Sequence, residues 1–561
     1  MRFITPADDL AQNALFDSAT LDSCSWWVTD LGDSARRRLD ENWQGLFRRS
    51  LLKLMPVEKL GARFSPDFGR PTKELHAMAA LVFIMEFKNW TVEEAVDAYI
   101  YDNSIHFALN LGNRHNYLCT RTLEDYRARV REDQSAGEIF LQVTRTLVEA
   151  LDIDIKRQRL DSTHLLSPAG AGATFGRTKL LGVGVKRLLC AIKRHAPQSF
   201  DTLSTELRAR YEPTVGRLFG EAAASKESRG AAQLQVAHDM HQLIETFADD
   251  PHLNTRSTYQ SLVRLFAEHC EIKEGKISVR PKAQDENGQS AHTLQNPSDP
   301  AAGYDGHKGP GHQVQLSETS AAENPVQLIV GCLPQSAGEQ DVNALEPMLE
   351  QLQSNHMLPA ELAADTAYGS DENHQHAASQ GIELISPVPG KAPKQGGHAS
   401  EEAQRETQGP PKPKGRRQST EQSRAVNERA RRNAARREAQ QSEEWRAKYR
   451  RRAGIEGVNR GLDRRTGIKE LRVRGMRAVA HAVYAKVMGW NIVQSARALR
   501  TQAIAARKAA QRHVETLIEW LMNQLRLVVQ VMLHSSRGAS ATKRRSHGRQ
   551  PRRPRWNPTP A

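Results

Sequence analysis

The sequence predicts an α/β chain with a helical N-terminal unit, on three observations. Apolar residues between positions 72 and 85 recur at helical spacing. Two apolar-rich runs, HQVQLSE (312–318) and VQLIVGCL (326–333), flank a polar turn containing Glu323-Asn324-Pro325, the pattern of a hairpin. Beyond them, helical and strand-like segments alternate as far as residue 386.

Taken in chain order, Leu75, Met78, Ala79, Val82 and Met85 form one helix face, and Thr91-x-x-Glu94 reads as a capping box opening a second helix. A third helix is expected from near Thr122 through LEDYRARV. Residues 60–135 then make a compact unit of the helix-turn-helix kind, suited to binding DNA and equally to a bundle that only packs. Ile153 and Ile155 alternate with acids, which predicts a strand running into Asp161-Ser162-Thr163. Residues 171–299, rich in Leu, Ala, Arg and Glu, read as a helical insertion. After the hairpin come a helix around Leu345–Leu352, a strand LAAD ending at Asp365, a helix over 371–379 stopped by Gly381, and the strand IELIS (382–386). The expected division is a helical domain over 1–135, a catalytic α/β domain assembled from 150–170, 300–389 and 445–495, a basic linker over 390–444, and a C-terminal helix with a basic tail over 496–561.

The net charge of +14 is unevenly placed. Residues 412–452 hold fifteen Lys and Arg against five acids, residues 460–477 seven against two, and residues 537–561 eight against none. Basic segments gathered beside one region suit a polyanion, because each neutralised phosphate releases condensed counterions. Solvated helix faces and a tail are the plain alternative. The five cysteines lie far apart with no CxxC pair, which fits a reducing compartment and no structural zinc. With no signal-like start and no apolar run near about 18 residues, the expected location is the cytoplasm, with the nucleoid. Val514, Leu517, Ile518, Leu521, Leu525, Val528 and Met532 form a late apolar stripe, expected to be core, with dimerisation as the alternative.

Phosphodiester cleavage by two divalent ions needs several hard oxygen ligands in one place. Asp161 and Asp365 each follow a strand-like run, and Glu456 opens a helical one. RLDSTH (159–164), ADTAYGSDEN (364–373) and YRRRAGIEG (449–457) resemble, in this order, the three acidic motifs of the insertion-sequence DDE transposases. Tyr449-x2-Arg452-x3-Glu456 matches the Y-x2-R-x3-E core of that family's signature. GRPTKELHAMAALVFIMEFKNWTVEEAVDAYIYDNSIHFALNL (69–111) is similar to the family's helical N-terminal domain, and residues 469–494 to its helix after the Glu.

The resemblance implies an RNase H-like mixed sheet with a large helical insertion, and catalysis by Asp161, Asp365 and Glu456 holding two Mg²⁺ or Mn²⁺ ions. It also implies DNA as substrate, with recognition of terminal inverted repeats, and a homodimer on paired ends. Tyr449, Arg452, Arg464, Arg465, Arg416 and Arg417 are the expected DNA contacts. Two features depart from the pattern. Asp463 stands where the fullest signature has Lys, and the interval between Asp161 and Asp365 is long, as the insertion explains. The alternatives are a nuclease of the same fold without strand transfer, and a non-catalytic DNA-binding protein derived from a transposase.

Overall fold

The computed structural model describes residues 32–64, 73–111, 116–166, 176–213, 226–285, 293–390 and 420–542. Contacts divide the chain into one unit through Arg497 and a second from Ala498.

In the N-terminal part, helix α1 (Leu75–Lys88) is buried on all sides from Leu75 to Phe87, so it is a central helix and not a one-faced one. The Glu74 carboxylate accepts from the first-turn amides of His76 and Ala77, and Asn89 ends the helix at φ +57°. The capping box is present at α2 (Val92–Tyr101). Glu94 N–H donates to Thr91 Oγ1 at 3.1 Å, and Thr91 N–H to Glu94 Oε2 at 2.7 Å. Helix α3 (Thr120–Glu132) packs through Leu123, Tyr126 and Val130.

Helix α4 (Ala136–Ala150) explains where the first strand begins. Asp152 takes φ +50° and Ile153 N–H donates to Val148 O at 3.1 Å, a helix-closing turn with its apolar residue just beyond. Ile153 and Ile155 therefore belong to the helix stop. Strand β1 starts at Arg157 and runs to Leu166, which puts Asp161 in mid-strand, not at its end.

Between β1 and the next sheet strand the chain makes a long excursion. It contains α5 (Arg177–His195), α6 (Lys226–Thr246), α7 (Ser257–His269) and, unforeseen, a hairpin of β2 (Cys270–Lys273) and β3 (Lys276–Val279). It has a core of its own, including Leu181, Leu188, Ile192, Met240, Leu243 and Leu262.

The chain then returns to the sheet with β4 (Gly303–Asp305), β5 (Gly309–Thr319) and β6 (Ile329–Ser336). It continues through α8 (Leu345–Ser354), β7 (Glu361–Ala363), α9 (Asp371–Ser379) and β8 (Glu383–Ile385). The strand order is β4-β5-β1-β7-β8, with β6 also on β5; β5 and β6 are antiparallel neighbours, and β1, β7 and β8 are parallel. The outer edge of β6 is closed by side-chain amides. Gln351 bonds both backbone groups of Cys332, at 2.8 and 2.9 Å, and the fully buried Asn491 bonds both of Ile329, at 3.0 and 2.8 Å.

Helix α10 (Thr420–Ala439) carries the Arg-rich run, α11 (Glu443–Arg450) and a 3₁₀ turn (Arg451–Ala453) follow, and α12 (Gly454–Thr466) starts with the signature Glu. Helix α13 (Met476–Thr542) is the last element. Its early turns pack in the first unit, with Tyr484 against Phe140 and His481 against Phe83. The apolar stripe expected to be core is not buried over its first four residues, and the side chains of Leu525, Val528 and Met532 lie outside the described ones. Val514, Leu517, Ile518 and Leu521 are all about half exposed, on a helix that continues past Arg497 as its own unit. Among the described residues no helix is long and apolar enough to cross a membrane.

Candidate active site

Asp161 and Asp365 are aligned by the sheet. The last paired residues of the parallel strands β1 and β7 are Arg159 and Ala363, and each aspartate stands two residues further on. Both therefore project from the same face at the same level, outside the carboxyl end of β7, where open α/β sheets hold ligands. Asp365 also caps the 3₁₀ turn Thr366–Tyr368 by accepting from Ala367 N–H at 2.9 Å.

The helix carrying Glu456 is pinned to this face by Arg159. Its guanidinium pairs with buried Glu318 at 2.6 Å and donates to Arg451 O at 3.1 Å. It lies so close to Gly454 that a Cβ there would stand 1.8 Å from Arg159 Nη1, so a larger residue would displace the guanidinium from this position. Burial pushes Glu318 up to about 7, against the pull of Arg159.

So held, the 3₁₀ turn extends Arg452 over both aspartates, with Nη2 at 3.5 Å from Asp161 Oδ1 and 3.8 Å from Asp365 Oδ2. Asn459, one turn along α12 from Glu456, donates to Asp161 Oδ2 at 3.1 Å. Burial raises the Asp161 carboxyl above its ordinary range. Arg452 opposes this, while Asp365 and Asp341 add repulsion. Tyr449, raised chiefly by burial, feels the same aspartates and stacks on Trp445 with ring centroids 5.0 Å apart.

Glu456 lies exposed on the first turn of α12. Among the described residues no three His, Cys, Asp or Glu side chains are close enough together to hold a metal ion. The structure thus joins Asp161 and Asp365 through one guanidinium and sets Glu456 on the helix that touches Asp161. It does not close the three into a cage. Two hard oxygen donors facing one cation are nevertheless a donor set that suits Mg²⁺ or Mn²⁺.

The other expected DNA contacts divide. Arg464 and Arg465 are exposed on the last turn of α12, and Arg416 and Arg417 lie outside the described residues. Arg452 faces carboxylates. Much of the basic run between 420 and 452 is likewise paired internally: Arg432 and Arg436 clamp Asp371, Lys448 meets Glu383 at 2.7 Å, and Arg451 pairs with Glu361. Asp463, at the departure from the signature, accepts from Lys469 N–H at 3.1 Å and fixes the turn after α12.

Sequence reasoning missed Asn459 and a polar network beneath the site. Ser162 donates to Asp341 Oδ2 at 3.1 Å, Gln315 to Asp341 Oδ1 at 2.8 Å, and Tyr368 to Gln315. The three-residue spacing from Glu456 could have pointed to Asn459. Asp341 has no such signal, since it reaches the site only through the fold.

The mixed sheet thus sets two aspartates level with one another beyond paired positions of two parallel strands, with Arg452 between them and Glu456 on the helix that follows. Residues 288–492 match the family model described as the transposase DDE domain. Asp365 and Glu456 fall inside the match, and Asp161 lies before it, across the excursion. No curated protein and no solved structure matches the chain.

Proposed function

We propose that this protein is the transposase of a bacterial-type insertion sequence, cutting and rejoining DNA at the element's ends with Asp161, Asp365 and Glu456 as its catalytic acids. The observation that carries the reading is the pair of aspartates on adjacent parallel strands sharing Arg452. The strand order, with β5 and β6 antiparallel beside three parallel strands, supports an RNase H-like core. The three acids are the groups to hold two Mg²⁺ or Mn²⁺ ions, which when bound polarise the scissile phosphate and lower the pKa of the attacking water or 3′-hydroxyl.

The chain's own residues have separate tasks. Asp161 and Asp365 present a fixed pair of oxygens, and Asn459 holds Asp161 in its rotamer. Arg452 neutralises the pair while no other cation is there. Glu456, exposed on the first turn of the helix that carries Asn459, is the third acid, and it must turn toward the pair to complete the set. The helical N-terminal domain over residues 1–135 is the reader of the terminal repeats. The working form is a homodimer on paired ends, in the cytoplasm with the nucleoid.

Purified protein should nick or join its own element's end DNA with Mg²⁺. Asp161→Asn, Asp365→Asn and Glu456→Gln should each abolish this while DNA binding persists. Retained cleavage in any one of them removes that residue from the mechanism. Cleavage without joining by the unaltered protein favours a nuclease of the same fold.

A further inference from the structure

The excursion carries a strongly basic cleft that the catalytic site does not use. Helix α5 contains six Lys and Arg and no acid over Arg177–His195. One of its faces, with Lys186, Arg187, Cys190 and Arg194, lines a cleft of about 540 Å³ closed on the other side by Arg256, Ser257 and Thr258 at the start of α7. No acidic residue lines this cleft.

Three features show that its charge is uncompensated. Lys186 donates only to the Glu212 and Pro213 carbonyls and Arg187 to Ser298 Oγ at 3.1 Å, and among the described residues Arg194 has no partner. Helix α7 has no side-chain cap, and its first residues Ser257 and Thr258 line the cleft at the positive end of the helix dipole. Arg187 Nε and Thr258 Oγ1 are buried there without hydrogen-bond partners. Holding like charges together over unfilled donors costs free energy, which an anion would recover.

The basic surface also extends out of the cleft. Arg187 feels the charge of Arg474, which with Arg131, Arg477 and the acidic Glu132 lines a second cleft of about 320 Å³ at the start of α13. A small anion fills one site; a row through two clefts fits a repeating one. We propose that this face of the excursion binds the phosphate backbone of DNA, with Lys186, Arg187, Arg194 and Arg256 on one stretch and Arg474 and Arg477 on the next. The proposal rests on the reading of the chain as a DNA-acting transposase and names the surface that carries the duplex outside the catalytic site. It also differs from the run at 420–452, whose cations are largely paired with acids of the same chain.

Cys190, exposed in the cleft, gives a direct readout. Full-length protein is mixed in EDTA with a mixed-sequence duplex of about 30 base pairs, and alkylation of Cys190 and Cys119 is followed by mass spectrometry. DNA should slow Cys190 and leave Cys119 unchanged. The double variant Arg194→Gln/Arg256→Gln should bind the duplex about tenfold more weakly, with the log–log salt slope reduced by about 2. Unchanged Cys190 reactivity in the DNA complex overturns the proposal, even if the variant folds poorly. Protection by millimolar inorganic phosphate alone, with none by DNA, overturns it in favour of a small-anion pocket. Normal DNA protection here, together with failure to nick the element's end DNA in a separate assay with Mg²⁺, would sink the catalytic reading alone, and absence of any DNA binding would sink both.

Discussion

Two clusters of opposite charge in the first unit are built to opposite specifications. At Glu86, on buried α1, one carboxylate accepts from Arg127 at 2.8 Å and from Arg131 at 2.7 Å. Below it, Lys486 donates to Glu86 O at 2.9 Å, Asn89 Oδ1 at 3.0 Å and Thr466 O. Burial pushes Glu86 up, but the two arginines and His481 win and hold it down at about 2. At Asp161 the balance reverses. Two aspartates share one Arg at 3.5 and 3.8 Å, and burial keeps the Asp161 carboxyl raised. The first cluster has more cation than acid and short bonds; the second has more acid than cation and long ones. A satisfied cluster fastens α1 to α3 and α13, whereas an under-neutralised one is fitted to receive further positive charge.

The largest expected effect separates the two in stability. Glu86→Gln leaves two partly buried guanidiniums facing a buried neutral amide and should cost about 3 kcal/mol in denaturant unfolding. Asp161→Asn removes a charge that burial disfavours, so its Tm at neutral pH should match or exceed that of the unaltered protein. A stability loss for Asp161→Asn as large as that for Glu86→Gln would erase the distinction.

Next comes pH. His481 is buried and held down at about 4, mainly by desolvation, from an ordinary 6.5. Below pH 6.5 the unfolded chain binds a proton that the folded chain refuses until about pH 4. Stability from this group is therefore complete above 6.5 and falls by about 1.4 kcal/mol per pH unit down to 4. Glu86 acts in a lower window: its contribution is complete above 4.5 and is lost as pH falls toward 2. His481→Leu should reduce the slope of stability against pH between 6.5 and 4 by about one proton, measured by urea unfolding. His269 and His374, also held near 4 by burial, contribute their own share of the slope, so an unchanged slope in the variant would show that His481 is not held neutral in the folded chain.

The same contrast governs how much was legible in the sequence. The capping box, the hairpin, the helix over 371–379 and its stop at Gly381 are local patterns, and each stands where its residues indicate. The alternation at Ile153 and Ile155 predicts a strand running into Asp161, but Ile153 closes a helix and the strand begins only at Arg157. The late apolar stripe was read as core because periodicity describes a helix face without saying what covers it. At the candidate site the motif pointed to Asp365, Glu456 and Arg452, but not to what Arg452 touches. Arg452, which the signature and its spacing from Glu456 assign to phosphates, sits beside carboxylates, since residues distant in sequence meet there. Asn459 and Asp341 were illegible for the same reason.

Arg452 provides the sharper test of the under-neutralised site. Arg452→Gln removes the only cation within ion-pair distance of both aspartates among the described residues, so Tm without metal should fall. Because no guanidinium then competes for the same oxygens, Mn²⁺ should raise Tm more in the variant than in the unaltered protein, by mass action on the folded state. Equal Mn²⁺ shifts would show that Arg452 and the metal do not share the aspartates.

The smallest effect is expected at Asn459, which holds Asp161 by a single 3.1 Å hydrogen bond and sits on the helix that brings Glu456. Asn459→Ala frees the Asp161 rotamer without changing any charge. Loss of an outer hydrogen bond of this kind lowers metal affinity or activity by about 10- to 100-fold in metal sites, and titration with Mn²⁺ would read it directly. Asn459→Asp distinguishes orientation from charge, for it keeps the size and loses the donor while adding repulsion. If Ala and Asp weaken Mn²⁺ binding equally, the amide acts by holding Asp161. If Asp instead tightens binding, the site is short of oxygen donors, and position 459 on α12 is where the chain can supply one.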